Sequence, residues 1–374
     1  MRQFRSAHVA AEEWRSAVEQ AIEQLGDLES EGRLGFVYLT DGFAGAAGEI
    51  IDALRAATGV IHWVGTVAGG ILSNGIEIYD TPALSLLVSD IDEDLFRVLP
   101  GIDRNPAAAL SDISEWLKRH HPHFGVVHGD PRNPASAQLI NQLAHSLEAG
   151  FLVGGVSSGS RNHFIQFADG LTEGGISGVL FSDKVPVATG LSQGCQLIGE
   201  RMEITEVERN VLQRIDGRPA LQVLYEAVGE EMAADPKKME GRVFAALYLP
   251  SSDTSTYLIR NLLGLDLEHE TVSIGDIPEK GSFIQFARRD ETSARADLIR
   301  MVAELKGRVP NPRGGLYYSC CGRGRMLFGQ DSEEMQIVRE VLGDVPLTGF
   351  FANGEIHHDQ LHGYSGVLTL FPSI

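Results

Sequence analysis

Three segments of the chain repeat one order of secondary-structure signals, and this repeat restricts the possible folds more than any other feature. Modules one (34–90), two (124–182) and three (315–371) each begin with a short β-rich run, followed by a small-residue loop, a helix pattern and two further strands. In each module the second strand ends at two glycines five positions apart, namely Gly65 and Gly70, Gly154 and Gly159, and Gly349 and Gly354. We therefore predict a β-α-β-β module used three times. The alternative is a chance resemblance between generic β-α-β segments.

This order also predicts the fold class and the domains. A strand–helix–strand crossover is compatible with parallel pairing, whereas the closely spaced later strands favour antiparallel pairing. The predicted class is α/β in the mixed α+β sense, with mixed sheets covered by helices. A length of 374 residues fits about two domains. We place them at 33–214 and 215–374, in one compact body, because "IDGRP" (215–219) is a turn signal between strands and a helix.

The first 32 residues predict a helix that precedes both domains. Their apolar side chains recur every three to four residues, and Gly26 follows as a stop signal. The repeating positions are Ala10, Trp14, Val18, Ala21 and Leu25.

Charge and cysteine content exclude several classes of partner. The net charge is −20 and no run of lysine or arginine is present, so we expect neither a nucleic-acid partner nor an anionic membrane partner. No apolar run approaches the roughly 18 residues of a membrane helix, and Glu12 and Glu13 interrupt any secretion signal. Three cysteines, an odd number, suit a reducing compartment. We therefore expect a cytoplasmic protein.

The stretch "YYSCCGRGRMLFG" (317–329) places two cysteines beside two arginines and three glycines. If a strand ends here, Cys320 and Cys321 point to opposite faces, and adjacent cysteines are too close for an ordinary disulfide. Arg323 is suited to hold a carboxylate or phosphate through two hydrogen bonds. Positive charge nearby also favours a thiolate. The alternative is that the glycines shape a turn while the arginines pair with surface acids.

Two neighbouring stretches allow further interpretations. "DSEE" (331–334) resembles a capping box that starts a helix, with Asp331 as the N-cap and Glu334 three residues later. "NGEIHHDQLH" (353–362) offers possible metal ligands, although it lacks the zinc-protease order and equally fits a polar rim loop, so we assign no metal. Its possible ligands are Glu355, His357, His358, Asp359 and His362.

These motifs together resemble the FIST family. The resemblance rests on "YSCCGRGRMLFG", "LTGFFANGEI" and "LHGYSGVLTLF", with "GVLFSDKVPVATGLSQGCQLIG" upstream, and spans about residues 33–371. The family's frequent Gly-Cys-Ser-Thr run is Val-Gly-Thr-Val at 64–67, which puts an N-terminal thiol role in doubt. The residues that match by position are Cys320, Gly322, Arg323, Gly324, Gly349, Phe350, Gly354, Glu355 and His362.

The resemblance implies an N-terminal and a C-terminal FIST domain and a small-ligand-binding sensory role in signal transduction. It also implies an amino-acid-like ligand with no required cofactor, and haem that senses nitric oxide is the alternative known for one branch. Because 32 leading residues are too few for an output domain, we expect a separate signalling protein as partner. A thiol-dependent enzyme that uses Cys320 and a purely scaffolding protein remain open as competing functions.

The predicted ligand site contains no assigned catalytic residue. Its residues follow the first and second strands of module three, so parallel pairing brings them to one sheet edge. Arg323 would hold a ligand carboxylate while Glu355 takes an amine; in the alternative these two side chains pair with each other. The predicted ligand-binding residues are Cys320, Arg323, Gly324, Gly354 and Glu355.

Overall fold

The computed structural model describes residues 4–28, 33–147, 150–160, 163–249 and 257–373. The chain divides into a larger unit, Met1–Gln193 with Arg295–Ile374, and a smaller unit, Gly194–Ala294. The domain boundary predicted at 215–219 lies inside the smaller unit and stays a prediction. Within the described residues, no helix is both long enough and apolar enough to span a bilayer.

Nine α-helices lie within the described residues. In chain order they are α1 (Trp14–Leu25), α2 (Ala47–Thr58), α3 (Ala107–Asp112), α4 (Ser114–His120), α5 (Ser136–His145), α6 (Ala220–Val228), α7 (Glu230–Ala233), α8 (Glu291–Arg308) and α9 (Glu333–Leu342). Helix α8 begins after Asp290, whose carboxylate accepts a hydrogen bond from the Ser293 amide at 2.7 Å. Asp290 is therefore the N-cap of this helix.

Three six-stranded sheets build the larger unit, with strands numbered in chain order. The first sheet contains, in spatial order, β1 (Arg5–Ala10), β6 (Ala83–Ser89), β2 (Leu34–Thr40), β3 (His62–Ala68), β10 (Gln166–Ala168) and β11 (Leu171–Thr172). The second contains β7 (Phe96–Ile102), β12 (Ile176–Phe181), β8 (Phe124–Gly129), β9 (Leu152–Val156), β23 (Glu355–His358) and β24 (Gln360–His362). The third contains β13 (Ala188–Gln193), β25 (Ser365–Pro372), β21 (Pro312–Cys320), β22 (Leu347–Ala352), β4 (Gly70–Ser73) and β5 (Ile76–Tyr79).

The three sheets confirm the predicted repeat. In each module a helix connects two parallel neighbours, β2 with β3, β8 with β9 and β21 with β22. The last strand of the module then pairs antiparallel with the first, as β6 does with β2, β12 with β8 and β25 with β21. The predicted mixed sheets and mixed α+β class are therefore confirmed.

Each module also contributes a β-hairpin to the sheet of another module. The β4–β5 hairpin of module one pairs with β22 of module three, and the β10–β11 hairpin of module two pairs with β3 of module one. The β23–β24 hairpin of module three pairs with β9 of module two. This exchange is cyclic, because each module gives one hairpin to a second module and receives one from the third.

The first position of each glycine pair must be glycine for a steric reason. Gly65, Gly154 and Gly349 occupy equivalent positions on the second strands of their modules. A Cβ atom at Gly349 would lie 1.7 Å from the carbonyl oxygen of Tyr317, and the other two glycines meet Val37 and Val127 in the same way. Any side chain would therefore force the parallel strands apart.

Three equivalent side chains from the first strands meet in the shared core. The hydroxyl of Tyr38 lies 3.1 Å from Nε2 of His128 and 2.9 Å from the hydroxyl of Tyr318. The three rings pack edge to face, with centroids 5.6 to 6.3 Å apart. Burial lowers the pKa of His128 to about 3, so this imidazole is neutral. The triad joins the three modules, while Nδ1 of His128 is buried and has no hydrogen-bond partner among the described residues.

The predicted helix over residues 1–32 is partly wrong. Residues Trp14–Leu25 are helical and Gly26 ends the helix at φ 68°, as predicted. Residues Arg5–Ala10 instead form β1, which pairs antiparallel with β6 and buries alternate side chains. Ala10 fits both the spacing of a helix and the alternation of a strand, so the sequence pattern alone does not decide between them. Pairing with the edge of β6 makes this segment a strand. Residues 29–32 lie outside the described residues.

The smaller unit contains one antiparallel sheet. In spatial order its strands are β14 (Cys195–Glu208), β20 (Phe283–Arg289), β17 (Val243–Tyr248), β18 (Tyr257–Asp266), β19 (Thr271–Ile274), β15 (Val211–Ile215) and β16 (Arg218–Pro219). Strand β14 also pairs with β15, which closes the sheet on itself. Helix α6 buries Leu221 and Leu224 against this sheet and begins directly after Pro219, as the sequence predicts.

Candidate functional site

Strand β21 carries the candidate site at its carboxyl end. Tyr318 points into the core between the modules, whereas Tyr317 and Ser319 point toward α9. This confirms the predicted alternation of faces. Because β21 and β22 are parallel, the loops that follow them start at the same edge of the sheet.

A buried ion pair organises the loop after β21. The guanidinium of Arg323 and the carboxylate of Glu334 are both fully buried and lie 2.8 Å apart. The same carboxylate accepts hydrogen bonds from the hydroxyls of Tyr317 (2.7 Å) and Ser319 (2.9 Å) and from the amide of Gly324 (2.8 Å). Burial opposes the charge on Arg323, but the charge of Glu334 prevails and raises the pKa of the arginine. Loop, strand and helix are thereby tied together.

This network corrects two interpretations made from the sequence. The capping box is wrong, because Asp331 and Ser332 adopt left-handed backbone conformations and Glu334 turns inward to Arg323. The alternative pairing of Arg323 with Glu355 is also wrong, since Glu334 is the partner. An acidic residue near a helix start fits a capping box and a buried counter-ion equally well by sequence. Arg325, in contrast, pairs with the exposed Asp80.

Glu355 is the second buried carboxyl at this edge. One of its oxygens, Oε2, accepts hydrogen bonds from the amide (3.0 Å) and hydroxyl (2.8 Å) of Ser365. The other, Oε1, is buried and has no hydrogen-bond partner among the described residues. Burial and the neighbouring Cys320 hold the pKa of Glu355 well above its usual range. The Glu355 carboxyl therefore releases its proton only at a higher pH than an ordinary glutamate, and one of its oxygens is unsatisfied.

The two adjacent cysteines differ in environment. No disulfide joins the cysteines, which confirms that Cys320 is reduced and not disulfide-bonded. The hydrogen bond with Cys321 and burial raise the pKa of Cys320, whereas that same hydrogen bond lowers the pKa of Cys321. The Cys321 thiol donates a hydrogen bond to the carbonyl oxygen of Ala352 on the neighbouring strand, at 3.0 Å. The pKa of Cys321 is therefore lower than that of Cys320.

The predicted site residues lie around one short segment of β25. Ser365 binds Glu355, and a Cβ atom at the next residue, Gly366, would lie 3.2 Å from Nη2 of Arg323. Gly354 precedes Glu355 at φ 139°, and its carbonyl oxygen accepts the amide of Val156 at 2.9 Å. Arg323 and Glu355 thus lie beside neighbouring residues of β25, whose side-chain directions alternate along the strand.

Module one supplies residues to this region that the sequence did not indicate. Glu77 on the exchanged hairpin accepts a hydrogen bond from the amide of Met335 at 3.1 Å and one from the hydroxyl of Tyr79 at 2.7 Å. A Cβ atom at Gly324 would lie 2.0 Å from the Tyr79 hydroxyl, which explains the glycine. No local pattern indicates these contacts, because they depend on the exchange between modules.

The buried carboxyl of Glu77 predicts a dependence of stability on pH. Burial and the charge of Glu334 raise its pKa from 4.5 to about 7. The folded state then holds the proton more tightly than the unfolded state, so this stabilisation is complete below about pH 4.5 and is lost as the pH rises through 7. Between pH 5 and pH 8 we expect wild type to lose about 2 kcal/mol more unfolding free energy than Glu77→Gln. Urea unfolding at both pH values measures this difference, and parallel pH profiles would contradict it.

The histidine-rich segment forms a strand hairpin, β23–β24, rather than a helix. Burial is the main cause that lowers the pKa of His357, to about 2. Across the described residues, no group of three or more His, Cys, Asp or Glu side chains is arranged to hold a metal ion.

Comparison with known proteins decides the family. A sequence model of the FIST N domain matches residues 33–218, and a model of the FIST C domain matches residues 220–358. The chain belongs to the FIST family. FIST domains are generally taken as small-ligand-binding domains of signal transduction. The family models therefore confirm the resemblance seen in the motifs.

Relatives of this FIST protein occur in mycobacteria. An uncharacterized protein of Mycobacterium tuberculosis is 32% identical over 338 residues, which cover 86% of this chain and 87% of the relative. An uncharacterized protein of Mycobacterium bovis is 29% identical and covers 96% of this chain and 95% of its own. The crystal structure of cyanuric acid hydrolase from A. caulinodans aligns over all of both chains at 11% identity. Its TM-score of 0.32 is too low to carry an argument.

Proposed function

We propose that this FIST protein is a sensor that binds an amino-acid-like ligand at the carboxyl edge of β21 and β22 and signals through a separate protein. The observation that carries the proposal is the unsatisfied oxygen of Glu355. An unpaired buried polar atom costs free energy, which a ligand that supplies a hydrogen-bond donor recovers. An ammonium group is the strongest such donor, because it also replaces the proton of the acid with a positive charge.

Arg323 supports recognition of a carboxylate at the same place. Its Nε and Nη2 atoms face Glu334, whereas Nη1 makes a long 3.4 Å contact with the carbonyl oxygen of Ser192. A contact of this length is weak. A ligand carboxylate would replace it without breaking the Glu334 pair. An amine at Glu355 and a carboxylate at Arg323 together describe an amino acid.

Thiol chemistry and haem binding find less support. A thiol-dependent enzyme needs a thiolate, and the raised pKa of Cys320 keeps that thiol neutral. For haem, the histidines nearest to Glu355 are His357 and His362, whose rings pack edge to face with centroids 5.8 Å apart. A porphyrin over either ring would have to separate them. These residues do not fit haem as they are packed, and we derive no function from it.

A ligand screen tests the proposal. Thermal unfolding would be followed with each amino acid and, for any that binds, with the amine and the acid that lack its second group. At a hundred times its Kd, a ligand adds about 2.7 kcal/mol, which corresponds to a midpoint increase of about 3–5 °C for a chain of this length. We expect an amino acid to produce this shift and its two fragments to produce much less.

Two variants assign the shift to the site. Glu355→Gln removes the anion that binds the amine, so the shift should fall to less than a third of the wild-type value. The matched control is Glu77→Gln, a buried carboxyl whose two oxygens already have partners, and it should keep the shift. An equal shift in Glu355→Gln and wild type would contradict the proposed site.

A further inference from the structure

A cavity lies at the other end of the first strands. It is lined by residues at or just after the ends of the last strands of the three modules, together with Phe4 and the start of β21. Its main lining residues are Phe4, Ile91, Leu95, Val185, Arg313 and Phe371. Arg313 and Cys320 stand at opposite ends of β21, roughly 23 Å apart at the usual rise per residue. This cavity is therefore distinct from the candidate ligand site.

The walls of this cavity are apolar and aromatic. Phe4 and Phe371 lie with ring centroids 5.4 Å apart, and Phe181 packs behind Phe371 at 6.1 Å. The cavity volume is about 130 Å³. An apolar protein cavity of about 150 Å³ stays dry and binds benzene. The space thus fits a body about the size of a benzene ring.

The lip of the cavity is acidic. The loop after β6 reads "DIDED" (90–94), and two of its carboxylates, Asp90 and Asp92, line the cavity. Arg313 forms an ion pair with Asp90 and stacks on the ring of Phe4. Asp92 is exposed and forms no ion pair within the described residues. One guanidinium thus faces two carboxylates, so the lip carries net negative charge.

We infer that this cavity is a second binding site, for a small aromatic amine whose ring packs against Phe4 and Phe371 and whose ammonium lies beside Asp92. The apolar walls exclude a charged group from the interior, so the charge of the ligand stays at the lip. At the lip the ligand's charge lies beside the carboxylate of Asp92. This carboxylate favours a cation over a neutral group and disfavours an anion. This inference does not depend on the proposed amino-acid sensor.

Three probes with one ring and different charges test this site. Isothermal titration at low salt would compare benzylamine, benzyl alcohol and benzoate. We expect benzylammonium to bind about tenfold more tightly than benzoate, with benzyl alcohol between them, because an ion pair at a partly exposed lip changes affinity by about this factor. Raising the salt concentration should reduce the difference.

Variants distinguish the contribution of the ligand's ring to binding from the contribution of its charge. Val185→Phe and, independently, Leu95→Phe fill the cavity and should each abolish binding of all three probes. Asp92→Asn should keep binding of benzyl alcohol and reduce the preference for the cation to about threefold or less. Glu226→Gln, which removes a carboxylate from the smaller unit, is the control and should leave all three affinities unchanged. Absence of binding to wild type, equal affinity for the three probes, or unchanged binding in both filled variants would overturn the inference.

Discussion

Replacing Glu334 by alanine is expected to lower the free energy of unfolding by about 3–5 kcal/mol, because the change leaves the buried guanidinium of Arg323 without its counter-ion. The loss is larger than for a surface pair because water cannot reach the charge that remains. The hydroxyls of Tyr317 and Ser319 and the amide of Gly324 also lose their acceptor. Urea unfolding followed by circular dichroism measures this loss.

A matched control separates this network from ordinary ion pairs. Glu226 forms a 2.7 Å pair with Arg218, and both side chains are largely exposed. Glu226→Ala should therefore cost much less unfolding free energy than Glu334→Ala. If Glu334→Ala cost no more than Glu226→Ala, then Arg323 would have to reach water or another anion, contrary to the geometry described above.

The second large effect is expected from Gly349→Ala. The new methyl group would lie 1.7 Å from the carbonyl oxygen of Tyr317, and that oxygen is backbone within a parallel strand pair. Overpacking a core with a methylene usually costs about 1–3 kcal/mol. We expect about 3 kcal/mol or more here, since no side chain can rotate out of the way.

Gly307→Ala is the control for this substitution. Gly307 lies within α8, and a Cβ atom there would meet nothing within 4 Å. Alanine should therefore stabilise the helix, by up to about 1 kcal/mol. If Gly349→Ala unfolded at the same urea concentration as wild type, the two strands would have to be farther apart at this position than they are in the structure.

The sequence predicted features that arise within a module. Local apolar patterns and the glycine pairs were enough to place the three β-α-β-β modules, the parallel crossovers and the end of α1 at Gly26. They also placed Cys320, Arg323 and Glu355 near one sheet edge. Each of these features depends on residues close in sequence or on a general rule of strand connection.

Features that depend on contacts between distant segments were missed. The hairpins at 70–79 and 355–362 have ordinary strand patterns, and no local signal shows that each joins the sheet of another module. Glu77 therefore could not be placed beside α9. Glu334 lies only 11 residues from Arg323 and was missed for another reason, because an acidic residue near a helix start fits a capping box equally well. The strand Arg5–Ala10 was missed for the same reason as Glu77, because its conformation follows from pairing with β6, about 80 residues later.

The cyclic exchange of hairpins also constrains how the larger unit is made. The sheet of module two is complete once residues 355–362 have been added, and the sheet of module three contains a hairpin from residues 70–79. A chain emerging from the ribosome can complete its first sheet once residues 166–172 have been made, whereas the second sheet must wait for residues 355–362, about 180 residues later. Such sequence-distant pairing slows folding and leaves strand edges open in the nascent chain. The exchange that unites the modules thus delays completion of the second sheet well beyond the synthesis of module two itself.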